Sequence, residues 1–412
     1  MFRRSHERVA TAHCPQTNAR RIVNSLAIHI SQSLRKDDYL VATASLSLVL
    51  AMAQASTADD NEKHEGTEKI REEDVAAAMQ YTSRLLEGKS DLIGNEVILF
   101  QNIWMEKERR LSKKSRRLLG TYYCCEAQIM PTGKNNVNER KLKMKLRKLD
   151  VSKKFHKQFD AANFQKISNQ EMLLTSAVHI AMSWREQFQS ILTRECQFHV
   201  SHQETVQVDM MTLKSGLVCL RYDVIRATIL KLPVTAHNMS MLLYLPYEKN
   251  GLEFLENNLT EENFRELLEK LESSKPKPVN ISIPRFSLLF NDIITKEVLE
   301  TSPSLKEFHF KKQEAVPGSQ VFHTISVDVN EQGINVPLEN QRHENTMIGP
   351  AVLDGIRWTT FTADHPFLFM LLEMNTKMIF ISGKVSKPQR NQRNNPNSYK
   401  RNNEQKRNYC CM

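Results

Sequence analysis

Alternating apolar positions put Val321, His323, Ile325, Val327 and Val329 on one face of a half-buried strand. The alternation stops at Asn330-Glu331-Gln332-Gly333. More than twenty residues without helical or strand period follow, punctuated by Pro337, Gly349, Pro350 and Gly355. Apolar runs then return at 367–372 and 378–381, with Glu373-Met374-Asn375-Thr376-Lys377 between them, the pattern of a buried hairpin. A long bare loop between buried strands is unusual in a compact protein, and such loops are usually functional.

The rest of the chain reads as mixed helix and strand. Ile22, Leu26, Ile30 and Leu34 recur in steps of four and predict an amphipathic helix over 18–34. Residues 38–52 read as a short strand running into a buried helix, and 58–71 as a charged loop. A helix follows over 72–86, with Val75, Met79, Leu85 and Leu86 as its stripe. Residues 95–106 read as a strand, and 122–129 as a further strand or turn. Residues 226–246 give two strands. Residues 251–271 read as one helix, with Thr260 as a cap and Glu261 and Glu262 in its first turn.

Two basic runs interrupt this pattern. Residues 107–117 carry seven bases against one acid, and 134–157 carry ten against Glu139 and Asp150. Leu142, Leu146 and Leu149 share one helical face in the second run, which makes it a basic amphipathic helix. Arg140, Lys141, Lys143, Lys145, Arg147 and Lys148 form a candidate polyanion patch there. A solvated face is the alternative of equal weight. The net charge of +10 favours polyanionic partners without choosing among them.

Composition narrows the class. A chain of 412 residues with 40% hydrophobic content can bury a sizeable core. The seven cysteines are scattered and odd in number, which points to free thiols and not to zinc or a disulfide framework. No stretch approaches the ~20 apolar residues of a membrane span. The start, MFRRSHERVATAHCPQ, lacks the apolar core of a signal peptide, which leaves a cytoplasmic or non-classically secreted protein. Three glycosylation triplets, at Asn238, Asn258 and Asn280, matter only in a secreted one. With only 12 glycines there is no phosphate-cradling loop, and no Ser-His-Asp or Cys-His order stands out. No catalytic residues, metal or cofactor are expected.

Several motifs carry a resemblance. Glu331-Gln-Gly333 closes a strand and precedes the long loop. Phe361-Thr-Ala-Asp-His-Pro-Phe-Leu-Phe369 and Gly383-Lys-Val385 follow it. Trp184, Phe188, Thr193 and Phe198 stand at fixed spacing, and Val208-Asp-Met-Met211 comes after them. In this order the set resembles the serpin family of serine protease inhibitors. The match runs from about residue 20 to Pro388 and is weakest over 105–170. It implies an α+β fold of three sheets and about eight or nine helices in one domain over 19–388. A disordered basic leader (1–18) and a disordered Asn/Arg/Lys-rich tail (389–412) flank it.

The resemblance also implies a mechanism and its residues. The exposed loop, about 331–360, is a bait. A protease cleaves it, the loop inserts as a new strand of the main sheet, and the protease is trapped. Such a protein is a suicide substrate, not an enzyme. The hinge is Glu331, Gln332, Gly333, Ile334, Val336 and Pro337. Inward positions of an inserted strand are Ile334, Val336, Leu338 and Asn340. The family's alanine run is absent, and Pro337 removes a ladder donor, which counts against insertion. Counting from Glu331 places the scissile bond at Met347-Ile348, and counting back from Phe367 places it at Val352-Leu353. Either bait suits a chymotrypsin- or elastase-like protease. Ser45, Ser176 and His323 fall where the family has a polar cluster behind the sheet opening, and Trp184 falls at its top. A monomer is implied, with family habit favouring the extracellular space. A non-inhibitory carrier, with a heparin-like glycosaminoglycan as its ligand, is the alternative.

Overall fold

The computed structural model describes residues 15–33, 38–56, 80, 95–105, 111–123, 128–129, 172–235, 238–294, 319–337 and 357–389. The readings over 58–71 and 134–157, and all of 72–86 except helical Gln80, lie outside the described residues. So do residues 1–14 and 390–412.

Helix α1 (Pro15–Ser33) starts three residues before the periodicity does, because Pro15 suits the first helical position. Its apolar stripe, Ile22, Val23, Leu26, Ala27 and Ile30, is buried. Strand β1 (Tyr39–Val41) leads into α2 (Thr43–Ser56), which is buried from Thr43 to Ala53 on every side. A helix apolar all round belongs in a core. Its Ser47 hydroxyl is satisfied by donating to Thr43 O at 2.8 Å. The basic run near 113 forms α3 (Lys113–Tyr123), which buries Leu118 and Leu119. The reading of 122–129 as one strand or turn is corrected here: Tyr122 and Tyr123 end the helix, and only Gln128–Ile129 pair as β3. Helix α4 (Leu252–Asn258) and α5 (Glu261–Ser273) correct the single helix expected over 251–271. The break falls at Leu259, whose non-helical ψ of 79° ends α4. Thr260 then caps α5 by accepting from the Asn263 N–H.

The described residues form three sheets, two of which share one long strand. The main sheet has six strands in the order β10 (Phe286–Ile294), β11 (Ser319–Val329), β12 (Gly333–Ile334), β4 (Met172–Ser183), β2 (Glu96–Met105), β3. A second runs β1, β15 (Met378–Val385), β14 (Phe367–Glu373), β8 (Met239–Pro246), β7 (Ala227–Pro233), β6 (Thr205–Tyr222). Long β6 continues into a third sheet, where it pairs with β5 (Arg194–His199) and β9 (Lys277–Pro284), and β13 (Thr359–Thr362) lies parallel to β9. The apolar stretch 279–290 is therefore two strands. The chain leaves the third sheet at Pro284 and enters the main sheet at Phe286, so Arg285 sits at the crossing.

The late hairpin ties the layers together. Phe367 and Phe369 on β14 meet Phe286 of the main sheet, with ring centroids 5.8 and 5.4 Å apart. Its turn is held by Glu373, which accepts from the Asn375 and Thr376 N–H groups. His365 fixes the approach to β14: its Nε2–H donates to Pro246 O at 3.0 Å. Early helices and late strands thus share one core.

Candidate functional site: the mouth of the main sheet

β11 and β4 are parallel neighbours, paired directly from Ser319/Met172 to Ile325/Val178. Beyond that point they separate. The chain leaves β11 at Val329, turns through 330–332, and sends Gly333–Ile334 back between them. Ile334 faces Val329 on one side and Met182 on the other, and is fully buried. The hinge therefore already begins a new central strand, two residues deep.

Asn330 makes the turn. Its Oδ1 accepts from the N–H groups of Gln332 (2.9 Å) and Gly333 (3.3 Å), and its Nδ2 donates to Val336 O at 2.8 Å. This is the local backbone pairing that favours asparagine in turns. Gly333 is needed for a different reason. A Cβ there would lie 2.0 Å from Met182 O and 2.8 Å from the Ser183 Cα, both backbone atoms of β4.

A polar lock roofs the mouth. The Glu331 side chain is 0% exposed and Arg285 is 10% exposed. Arg285 Nε donates to both Glu331 oxygens, at 2.8 and 3.0 Å, and its Nη2 adds a second close bond. Thr193 donates to Glu331 Oε1 at 2.6 Å, and Asp209 holds the far side of the guanidinium at 3.5 Å. Burial pushes the Glu331 carboxyl up. The Arg285 and Thr193 hydrogen bonds outweigh that push and hold it below its ordinary value. Trp184 closes the roof: its ring N–H donates to Asn330 O at 2.8 Å and its main-chain N–H to Gln332 O at 2.9 Å. Phe188 packs edge-on against it, with ring centroids 6.4 Å apart.

A second polar cluster lies lower in the sheet. His323 is 0% exposed. Its Nε2 accepts from the Ala42 N–H at 3.1 Å, so the proton sits on Nδ1, which donates to Ser176 Oγ at 3.0 Å. Ser176 meets Ser45 at 2.8 Å, and Gln101 donates to Ser45 at 2.9 Å. The chain of bonds thus links α2 to β2, β4 and β11 across the place where an inserting strand would pass.

This cluster predicts a pH dependence. Burial pushes the His323 pKa down from 6.5 to about 3, against a smaller raising effect from its bond to Ser176. A histidine neutral in the fold takes up a proton on unfolding at acid pH. Its contribution is therefore full above about pH 6.5 and lost as pH falls toward 3. The expected loss at pH 5 is about 2 kcal/mol. Urea unfolding of the uncleaved protein at pH 7 and pH 5 should show this loss, and His323→Gln should lack it. An equal loss in both proteins would contradict the assignment.

The structure brings Glu331, Gln332, Gly333, Ile334 and Trp184 together at the mouth, and Ser45, Ser176 and His323 together below it. Val336 and Pro337 do not continue the strand, because Asn335 turns the chain with φ 53°. Leu338, Asn340, both candidate scissile bonds (Met347-Ile348 and Val352-Leu353) and the basic patch (Arg140, Lys141, Lys143, Lys145, Arg147, Lys148) lie outside the described residues. Sequence reading missed Arg285, Asn330, Asn335 and Gln101. Asn330 could have been found as an Asx turn before Glu-Gln-Gly, and Arg285 as a lone charge dividing an apolar run. No group of metal-binding side chains occurs among the described residues, and none of their helices is long and apolar enough to cross a membrane.

Comparisons with known proteins give the family and the fold. A family model described as Serpin (serine protease inhibitor) matches residues 22–388. Intracellular coagulation inhibitor 2 of Tachypleus tridentatus is 24% identical over 406 residues, covering 93% of this chain and 91% of that protein. Intracellular coagulation inhibitor 1 of the same animal is 28% identical over 221 residues, 51% of this chain. The chain there spans half the length of the relative, 50%. Among solved structures, human thyroxine-binding globulin in complex with thyroxine aligns with a TM-score of 0.69 at 15% identity. It covers 91% of this chain and 100% of that one.

Proposed function

The chain belongs to the serpin family, and from that premise we propose that it inhibits a serine endopeptidase by cleavage and insertion of the loop after Gly333. Family members of this kind are protease inhibitors and not catalytic enzymes. The observation that carries the proposal is the hinge itself: Gly333–Ile334 already lie between β11 and β4. A cleaved loop needs only to continue along that register. Val336 then meets Val327 and Ile180 where the strands are already apart, and from Leu338, which meets Ile325 and Val178, each step unpairs β11 from β4 and replaces one ladder with two. Inserted apolar residues go to buried neighbours on both sides.

Pro337 opposes this by withholding one N–H. One buried carbonyl left without a donor costs about 1–3 kcal/mol. A central strand makes hydrogen bonds along both edges, so one missing donor weakens the inserted state without forbidding insertion. The candidate bait bonds, Met347-Ile348 and Val352-Leu353, suit chymotrypsin- and elastase-like proteases. The test is incubation with a panel of such proteases. The expected result is an SDS-stable complex with at least one of them, together with a C-terminal fragment, separated in SDS, whose new N terminus lies within the loop. Cleavage of the loop by every active protease with no complex would refute inhibition.

A second reading has its own observation. An open cleft of about 640 Å³ lies between α1 and α5, where Arg20, Arg21, Arg265 and Lys377 share the walls with Glu261, Glu262 and Glu269 beside Ile28 and Phe264. Its size is in the range of small-molecule sites. The solved relative named above is a thyroxine-binding globulin, by its name a carrier. A carrier of small zwitterionic amphipathic ligands, which match walls of both charges, would show saturable binding that Arg265→Glu weakens, with protease reactivity unchanged.

A further inference from the structure

The main-chain bonds on either side of Ile334 show where the new strand stops and what stops it. On the β11 edge, Asn330 N–H donates to Gly333 O (3.0 Å) and Asn335 N–H to Asp328 O (2.7 Å). These bonds bracket the Val329/Ile334 pair, so the next hydrogen-bonding positions along that edge are Asp328/335 and Ser326/337. In a continued ladder, Asp328 N–H would donate to the main-chain oxygen of residue 335. Residue 337 would donate its N–H to Ser326 O. On the β4 edge, Trp184 N–H donates to Gln332 O, which makes 336 the residue whose N–H would reach Ile180 O.

All three of those partners are taken by one side chain. Asn335 Oδ1 accepts from Asp328 N–H at 2.8 Å. Its two Nδ2 hydrogens go to Ser326 O and Ile180 O, both at 2.8 Å. The carboxamide thus stands in for the backbone of the missing strand on both edges of the split. It does so from a left-handed conformation, φ 53°, which asparagine tolerates better than most residues. Two residues later stands Pro337, which has no N–H to offer Ser326 O.

We propose that Asn335 is the stop of the hinge: its side chain clasps β4 to β11 at the mouth of the main sheet, holds insertion at Ile334, and sets the rate at which a cleaved loop goes in. To proceed, the backbone at 335 must leave the left-handed region and its amide must release all three partners. Val336 then restores the bond to Ile180 O, the main chain of 335 restores that of Asp328, and Ser326 O alone stays without a donor because of Pro337. The two residues act in sequence: Asn335 governs the rate of insertion, and Pro337 weakens the inserted state.

The stop rests on the insertion reading above, and the experiment separates the two. The variants are Asn335→Gly, which keeps the left-handed backbone and deletes the clasp, Asn335→Thr, which also favours an extended backbone, and Asn335→Thr with Pro337→Ala. Amide hydrogen exchange at Asp328 in the uncleaved proteins reads the clasp directly. After limited proteolysis between 338 and 356, the growth of a heat-resistant fraction reads insertion. Both Asn335 variants are expected to exchange faster at Asp328 and to insert about tenfold faster or more, a change of about 1.4 kcal/mol in the barrier. The double variant should give the most stable cleaved form. Insertion by either single Asn335 variant with none in the natural chain would support the stop and refute inhibition by the natural protein. Insertion rates within twofold of the natural chain in both Asn335 variants would overturn the stop, whatever the exchange at Asp328 shows. Asn335→Gly guards against a folding defect in the threonine variant.

Discussion

Glu331→Gln is expected to lower the melting temperature of the uncleaved protein by about 4 °C at pH 7. Breaking a buried ion pair by removing one partner costs about 3–5 kcal/mol, because the other charge is left without compensation. The lower end applies here, since Arg285 keeps Asp209 at 3.5 Å. At ~2 cal/mol/K per residue, the unfolding entropy of a chain this long turns about 3 kcal/mol into about 4 °C. Thermal unfolding followed by tryptophan fluorescence, in a background with Trp104 and Trp358 replaced by Phe so that Trp184 alone reports, reads both the temperature and the site, because Trp184 is bonded to Asn330 and Gln332 beside the pair. The effect has a pH signature. The Glu331 carboxyl titrates below its ordinary value, so its contribution is present above about pH 4.3 and is lost as pH falls further. The difference between wild type and Glu331→Gln should therefore close in acid. A difference below 1 °C at pH 7 would show that the pair does not hold the mouth.

The second large effect is at Gly333. Gly333→Ala places a methyl 2.0 Å from Met182 O, where the obstacle is backbone and cannot rotate away. The sheet must open or the hinge must leave. Overpacking of this kind costs about 1–3 kcal/mol, and more where the neighbour is rigid. Expulsion is the expected outcome, because Gly333–Ile334 is anchored by only two pairs on β4 and one on β11. Ile334 would lose its burial, amide exchange at Trp184, whose N–H donates to Gln332 O, and at Asp328 would rise, and the loop would be cut faster by proteases. Unchanged exchange at both amides would mean that the strand adapts in place.

The sequence made some of this legible and hid the rest for physical reasons. The hinge turn, the late hairpin and His323 on its strand follow from alternation and turn residues, which are local. The family motifs then joined early helices to late strands, which periodicity alone cannot do. Arg285 and Asn335 were missed because their roles depend on partners far along the chain: Glu331 for one, Ile180 and Ser326 for the other. Asn335 sat in a stretch read only for its apolar inward positions, and a polar side chain standing in for a backbone has no period. The helix break at Leu259 was hidden because Leu255, Leu259, Phe264 and Leu267 are all buried on either side of it. Pro337 was legible from its chemistry, but its meaning changed. It no longer stands as the only obstacle to insertion, since Asn335 acts two residues earlier.

The central claim is that the main sheet accepts the loop once the loop is cut. Melting curves of the intact protein and of protein cleaved between 338 and 356, equilibrated so that slow insertion completes, test it directly. An upward shift of roughly 10 °C or more after cleavage is predicted, the gain of a new central strand spread over the domain's unfolding entropy. An unchanged or lower melting temperature would contradict the account.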